Sequence, residues 1–173
     1  MIGNDIVDLA KADRESNIFR LRFLEKICSQ EEIKLILSNQ NSTHLYWRIW
    51  SMKESAYKAF QRKCKFETAF NPFAFSCQLY DSQNGRVCFK NESVSVQTIH
   101  TDEFIYSEIK DNVHKNCFFG STSDFMDHLK DKLKLNSIPE FQKTKEGLPF
   151  VNLSSQILEV SKTHHGNFQA FQY

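Results

Sequence analysis

Trp50-Ser-Met-Lys-Glu-Ser-Ala-Tyr-Lys58 puts charge into a stretch that otherwise reads as an apolar helix. Taken as a helix from Thr43 to Arg62 at ~100° per residue, Leu45, Ile49, Met52 and Ala56 share one face, which is core. Glu54 projects from the opposite side, and Lys58 stands one turn further on, with Ser51 and Arg62 on the same stripe. A carboxylate and an ammonium thus share one polar ridge. Such a pair alone is an ordinary ion pair worth a few tenths of a kcal/mol. Its company argues for more: Trp47 and Trp50 flank the ridge, and Asp5 and Asp8 form a second acidic site near the start of the chain. Two separated acidic sites can converge on one cation, so the ridge reads as the floor of an active site.

A chain of 173 residues with 40% hydrophobic residues can bury one core, and residues 1–173 read as a single domain. With 22 basic and 21 acidic residues, the net charge of +1 supplies no global field toward nucleic acid or membrane, so neither is expected as a partner. Sixteen phenylalanines against five glycines and three prolines indicate packed secondary structure rather than linkers. No stretch approaches a membrane span and Met1-Ile-Gly-Asn-Asp5 lacks the regions of a signal peptide, so a soluble, cytoplasmic protein is expected. The cysteines at 28, 64, 77, 88 and 117 show no C-x-x-C spacing and read as free thiols.

Along the chain, Met1 to Leu9 reads as a buried strand carrying Asp5 and Asp8. Asp8 reads as a helix cap or turn residue, Asp5 as a ligand. A basic helical segment bearing Arg14, Arg20, Arg22 and Lys26 follows, either a docking face for an acidic partner or a solvated one. Ser29-Gln-Glu-Glu32 has capping-box spacing and starts a short helix to about Leu37. Beyond the central helix, Phe70 to Tyr80 is expected to be extended, Asn84-Gly85 a hairpin turn into Arg86 to Lys90, and Val94 to Ile99 and Phe104 to Ile109 two more strands of an antiparallel sheet. Ser123 is the expected cap of a structural helix to about Leu135, with Phe125, Leu129 and Leu133 inward. Two final strands, Ile157 to Ser161 and Asn167 to Tyr173, are joined by Lys162-Thr-His-His-Gly166. Neighbours in an extended chain face opposite ways, so His164 and His165 do not easily chelate one metal; taken alone these residues read as an ordinary polar turn between two strands, and the alternative is that one histidine faces a ligand, for which phosphate is the candidate.

Together Gly3-Asn4-Asp5-Ile6, the Trp50 to Lys58 stretch, Gly147-Leu-Pro149 and Ser161-Lys-Thr-His164 resemble the motifs of the 4'-phosphopantetheinyl transferases. Cys28-Ser-Gln-Glu-Glu and Ala69-Phe-Asn-Pro-Phe resemble segments flanking the helix motif in holo-acyl-carrier-protein synthases. Residues 85 to 140 are supported by pattern alone.

That resemblance implies an α+β fold in one lobe, with a curved antiparallel sheet packed on the long central helix. It implies transfer of the 4'-phosphopantetheine arm of coenzyme A, the co-substrate, to a serine of an apo carrier protein, with release of adenosine 3',5'-bisphosphate. The carrier serves fatty-acid or related synthesis and presents an acidic helix, for which the Arg14, Arg20 and Arg22 segment is the candidate surface. By resemblance Asp5 and Glu54 hold Mg²⁺, an ion that favours hard carboxylate oxygens. Lys58 contacts the diphosphate, Glu54 helps remove the serine proton, and Thr163 and His164 bind the nucleotide end near its 3'-phosphate. Lys53 also matches the motif, as a cofactor-binding candidate.

Four departures shift other roles, one of them Lys11 standing where an arginine commonly follows the aspartate motif, with Arg14 as the candidate replacement. Val7 stands where larger members carry a further acid, so three carboxylates at the metal are not expected. Ile49 replaces a common arginine, leaving adjacent Arg48 as the candidate there, and Leu148 replaces the lysine of Gly-Lys-Pro, for which Lys145 can substitute. One copy of each motif implies a homo-oligomer, a trimer favoured. The alternatives are a Mg²⁺-dependent phosphohydrolase using Asp5 and Glu54, which lacks further acidic ligands, and a non-catalytic relative of the same fold that binds coenzyme A or a carrier protein.

Overall fold

Asp8 closes the first strand and opens the first helix, its Oδ1 accepting the Lys11 N–H at 2.9 Å and its Oδ2 the Asn167 N–H at 3.0 Å. The helix-cap reading of Asp8 therefore describes its geometry. The computed structural model describes residues 1–64, 69–110, 116–153 and 156–173.

Strand β1 (Asn4–Asp8) runs into α1 (Leu9–Glu15). The expected basic helix ends here: Ser16 caps it by donating its N–H to the Ala12 carbonyl. Asn17 Oδ1 then takes the Phe19 N–H, a local bond that competes with helix. Arg22 adopts a left-handed φ of 61°, and Leu24–Lys26 form only a 3-10 turn. Helix α2 (Gln30–Ser38) starts with the expected capping box, in which the Ser29 Oγ accepts the Glu32 N–H and Glu32 Oε2 accepts the Ser29 N–H.

The 23-residue α3 (Ser42–Cys64) is the axis of the molecule, ~34 Å long at 1.5 Å per residue. Its face of Ile49, Met52, Ala56 and Phe60 is fully buried, each large side chain contributing ~1.5–3 kcal/mol by burial. That face lies on a five-stranded antiparallel sheet of β1, β2 (Phe75–Leu79), β3 (Asn84–Phe89), β4 (Glu92–His100) and β5 (Phe104–Ile109), ordered β1-β5-β4-β3-β2. Gly3 lets β1 press against the helix, since a Cβ there would collide with the Ser55 carbonyl oxygen and the Ala59 nitrogen. Two expectations shift by a few residues. Phe70 to Tyr80 begins with a 3-10 turn at Pro72–Ala74, capped by Asn71, before β2. Asn84 and Gly85 lie inside β3 rather than in the turn. Asp81 makes the turn by accepting the Gln83 and Asn84 N–H groups at 2.7 Å, while Gly85 leaves space for Met52.

The rest of the chain adds β6 (Cys117–Phe119), α4 (Thr122–Leu133), β7 (Glu140–Lys143), β8 (Pro149–Asn152), β9 (Ile157–Glu159), β10 (Ser161–His165) and β11 (Phe168–Gln172). They form sheets ordered β10-β11-β6 and β7-β8-β9. Helix α4 is capped by Ser121 rather than Ser123, because Ser121 and Asp124 complete a capping box. Phe125 and Leu129 are buried as expected, whereas Leu133 in the last turn is 41% exposed. Lys162 to His165, expected as a link, are strand; the turn moves to Gly166, whose φ is 56° and whose Cβ would overlap the Asp8 carboxylate. No helix among the described residues is long and apolar enough to cross a membrane.

β1 is an edge strand, and its open side is closed by side chains of β10. The N–H groups of Asn4, Ile6 and Asp8 donate to Ser161 Oγ, Thr163 Oγ1 and His165 Nδ1 at 3.1, 3.2 and 2.9 Å. Alternation in β10 therefore turns Ser161, Thr163 and His165 toward β1 and leaves Lys162 and His164 outside.

Candidate active site

Helix α3, β1 and β10 bring three of the distant motifs together. The Lys58 ammonium donates to the Asn4 carbonyl at 2.8 Å, reaches Asp5 Oδ1 at 3.3 Å and stands 3.5 Å from Glu54 Oε1. Thr163 Oγ1 donates to the same Asp5 oxygen at 3.0 Å. From below, Ser51 Oγ donates to the Asp5 carbonyl and Ser55 Oγ to the Ser107 carbonyl, fixing β1 and β5 over the helix. Ser51, placed on the ridge by spacing, is thus buried beneath it.

Asp5 is a strained acid. Burial, and then the neighbouring Glu54 carboxylate, push its pKa up to about 7, against the smaller opposing pull of Lys58 and Thr163. Its Oδ2 is buried without a hydrogen-bond partner among the described residues. An orphaned carboxylate oxygen beside a second carboxylate fits a hard cation such as Mg²⁺. Among the described residues no group of three or more His, Cys, Asp or Glu side chains could hold a metal, so water or substrate oxygens would complete a site built on Asp5 and Glu54.

Two cavities adjoin this pair of carboxylates, and His164 lines both. One, of about 300 Å³, is a basic cleft lined by Lys58, Arg62, Lys143, Lys162 and His164 beside Gly147-Leu-Pro149. Arg62 is held in its wall by donating to the Pro149 and Val160 carbonyls at 3.2 and 2.7 Å. Burial and then Lys143 lower the Lys162 pKa, as expected of two ammonium groups facing one space. The other, of about 330 Å³, is lined by Asp5, Glu54, Ile6, Val7, Trp47, Trp50, His164 and His165.

Other sequence candidates stand apart from the cluster. Lys53 points away from the ridge and is fully buried, donating to Glu32 Oε2 at 2.7 Å and to the Ile27 carbonyl at 2.8 Å. A one-residue step on a helix is 100°, which carries Lys53 from the Glu54 stripe to the side facing α2. Arg48, also buried, donates to the Asn84 carbonyl at 3.1 Å and lines a separate hollow with His44 and His100. Lys145 is exposed in the turn that Gly147 closes on Thr144, and lines neither cavity. Lys143 and Lys162, and not Lys145, line the basic cleft. The alternation of Ser161, Thr163 and His165 was the signal for Lys162; no spacing rule pointed to Lys143.

The family model of the 4'-phosphopantetheinyl transferase superfamily matches residues 1–114. No curated protein matches the chain. Among solved structures, the chain is similar to a crystal structure of holo-[acyl-carrier-protein] synthase from Thermotoga maritima, with 14% identity, a TM-score of 0.47, and coverage of 88% of this chain and 82% of that one.

Proposed function

The chain belongs to the 4'-phosphopantetheinyl transferase superfamily, and from that premise we propose that it moves the 4'-phosphopantetheine arm of coenzyme A to a serine of an apo carrier protein. The observation that carries this reading is the convergence of Glu54, Lys58 and Thr163 on Asp5, whose Oδ1 takes Lys58 and Thr163 while its buried Oδ2 has no hydrogen-bond partner among the described residues. Asp5 and Glu54 are the proposed Mg²⁺ ligands, and the ion would neutralise charge on the donor's diphosphate. Lys58, anchored on the Asn4 carbonyl, presents its ammonium to the same group and offsets charge on the departing bisphosphate. Glu54, partly open to solvent, is the chain's acceptor for the serine proton, directly or through water. Thr163 holds Asp5 in place, and His164, exposed between the two cavities, is the donor-side contact. Little else is required, because phosphoryl chemistry depends mainly on positioning and charge.

The basic cleft supports the choice of a polyanionic donor. For the carrier, the support is the surface around Arg14, Arg20 and Arg22, where Leu21 is 88% and Phe19 64% exposed beside the guanidinium groups. Such a surface suits an amphipathic acidic helix. A trimer, implied by resemblance, is tested by light scattering of the purified chain.

The deciding experiment is the intact mass of apo acyl carrier protein after incubation with this protein, coenzyme A and Mg²⁺, beside a Glu54→Gln control. A gain of one phosphopantetheine arm, lost in the control and with chelator, is expected. No gain across several carriers while coenzyme A still binds would select the non-catalytic binding reading.

A further inference from the structure

Helix α3 starts at a hollow of about 470 Å³ that takes Asn39 and Asn41 from the turn before it, His44, Leu45 and Arg48 from its first two turns, and His100 from the end of β4. His44 and Arg62 are eighteen residues apart in this helix, ~27 Å along its axis, so the hollow and the basic cleft stand at opposite ends. Asp5, Glu54, Lys58, Thr163 and His164 all lie outside it.

Arg48 brings a buried charge to this hollow without a matching anion. Its side chain is only 5% exposed, its Nη2 donates to a neutral carbonyl, that of Asn84, and its Nε–H is buried with no acceptor among the described residues. Asp81 acts on it from the neighbouring turn, but the Asp81 oxygens are taken by the Gln83 and Asn84 N–H groups and the Asn84 amide. Burial therefore pulls the Arg48 pKa down, against the smaller opposing effects of Asp81 and Cys77. A buried guanidinium is costly unless a charged partner meets it. The other groups around the hollow add to its positive field. The His44 and His100 rings stack with centroids 6.1 Å apart, and His100 donates Nε2–H to the Ser82 carbonyl at 2.9 Å, leaving Nδ1 as the site of a second proton. Burial, and then Arg48, lower the His100 pKa, so the ring is neutral at pH 7 until an anion arrives. Asn41 Oδ1 caps α3 by accepting the His44 N–H at 3.2 Å, which turns the positive end of the helix dipole to the same place.

We infer that this hollow is a second anion site, separate from the donor cleft, in which Arg48, His44 and His100 hold the phosphate of a small phosphate ester. The inference does not depend on the transferase reading. A guanidinium fork, two imidazoles and a helix N-terminus all favour an oxyanion and repel a metal cation. The space is of the size that small organic ligands occupy, ~300–1,000 Å³, and exceeds what one oxyanion fills. Leu45 gives the organic part of the ester an apolar wall, and the Asn39 and Asn41 amides border it. Each imidazole that gains a proton as the phosphate enters adds a charge-assisted bond, so binding strengthens toward acid.

The chain has six histidines, and their ring nitrogens, followed by NMR, report the hollow and the cleft separately. The full chain is titrated in chelator, at constant ionic strength, with O-phosphoserine, inorganic phosphate and sulfate. The His44 and His100 signals should move together along one saturable curve, distinct from any followed by His164, and phosphoserine should bind at least as tightly as phosphate. Sulfate keeps its charge between pH 6 and pH 8, so its affinity reads the protein's own protons and should fall about tenfold or more over that range. His44→Ala and His100→Ala should each weaken phosphoserine binding about tenfold or more, as loss of a charged hydrogen bond does, and leave coenzyme A binding unchanged. Arg48→Met should abolish it; where that variant fails to fold, the two histidine variants decide. The same shifts with chloride would reduce the effect to screening and overturn the inference. Undiminished binding in both histidine variants, or exclusion of phosphoserine while phosphate binds, would overturn it as well. Release of phosphoserine from the hollow by coenzyme A would assign the hollow to the donor and end its standing as a separate site.

Discussion

The Thr163 hydroxyl donates to Asp5 Oδ1 at 3.0 Å while accepting the Ile6 N–H at 3.2 Å, so one side chain both seals the edge strand and orients the acid. Removing the hydroxyl without changing shape should expose both duties. Thr163→Val leaves the Ile6 N–H buried and unpaired, which costs ~1–3 kcal/mol. Denaturant unfolding should show that loss, kcat should fall as Asp5 loses its orientation, and Thr163→Ser should recover much of both. A Thr163→Val protein of unchanged stability would refute the edge-sealing role.

Asp5 makes stability depend on pH in an unusual direction. Its folded pKa of about 7 lies above the ordinary 3.8, so between these values the native state holds a proton that the unfolded chain has lost. This contribution is complete below about pH 3.8 and disappears as pH rises through 7. In chelator, the Tm of the unaltered protein should therefore fall on going from pH 6 to pH 8 more than that of Asp5→Asn, which should be the more stable of the two at pH 8. Added Mg²⁺ should raise the Tm at pH 8 more than at pH 6, because cation and proton compete for the same carboxylate, and should leave Asp5→Asn unmoved. Parallel pH profiles for the two proteins would remove Asp5 as the cause.

Glu54→Gln and Lys58→Ala should separate chemistry from folding. Both side chains are partly exposed, and such ion pairs contribute ~0–1 kcal/mol. Melting should shift little. Transfer should fall ~10²-fold or more for Glu54→Gln if this carboxylate takes the proton. Lys58→Ala should lower kcat and raise the coenzyme A KM together, since the ammonium faces the diphosphate before and during bond cleavage. Variants that bind coenzyme A and transfer at the original rate would favour the non-catalytic relative.

The legible parts of the chain were those with a strong period or a strong local rule. The α3 face and the Ser29 capping box follow from spacings of three and four residues, and each is found in the structure; of the two readings of Asp8, helix cap or turn residue, the structure shows the cap. Asn84-Gly85 misled because a turn-favouring pair can also sit in a strand where a helix side chain, here Met52, comes too close for a Cβ. The strand formed by Lys162 to His165 was hidden because its polar residues satisfy β1 rather than solvent, so the pattern looked like a turn. The two cavities lay beyond any local rule: Lys143 and Trp47 come within one site only because β1 is packed between α3 and β10.

Lys53 tests how far the helix motif should be read as a binding surface. Motif position suggested a cofactor contact, but its ammonium is sealed from solvent against Glu32, whose other oxygen accepts the Cys77 N–H at 2.7 Å. The pair thus ties α3, α2 and β2 at one point, where Cys28 lies near enough that burial, with a smaller contribution from Glu32, holds its thiol up to about 12. Breaking such a pair strands a charge in the interior and costs ~3–5 kcal/mol, whereas removing both charges costs much less. Lys53→Met alone should therefore destabilise strongly, and Lys53→Met combined with Glu32→Gln should be more stable than the single change, with the coupling read from a urea double-mutant cycle. At temperatures where Lys53→Met remains folded, its coenzyme A KM should match that of the unaltered protein. A raised KM without loss of stability would return Lys53 to the donor site, which its burial against Glu32 opposes.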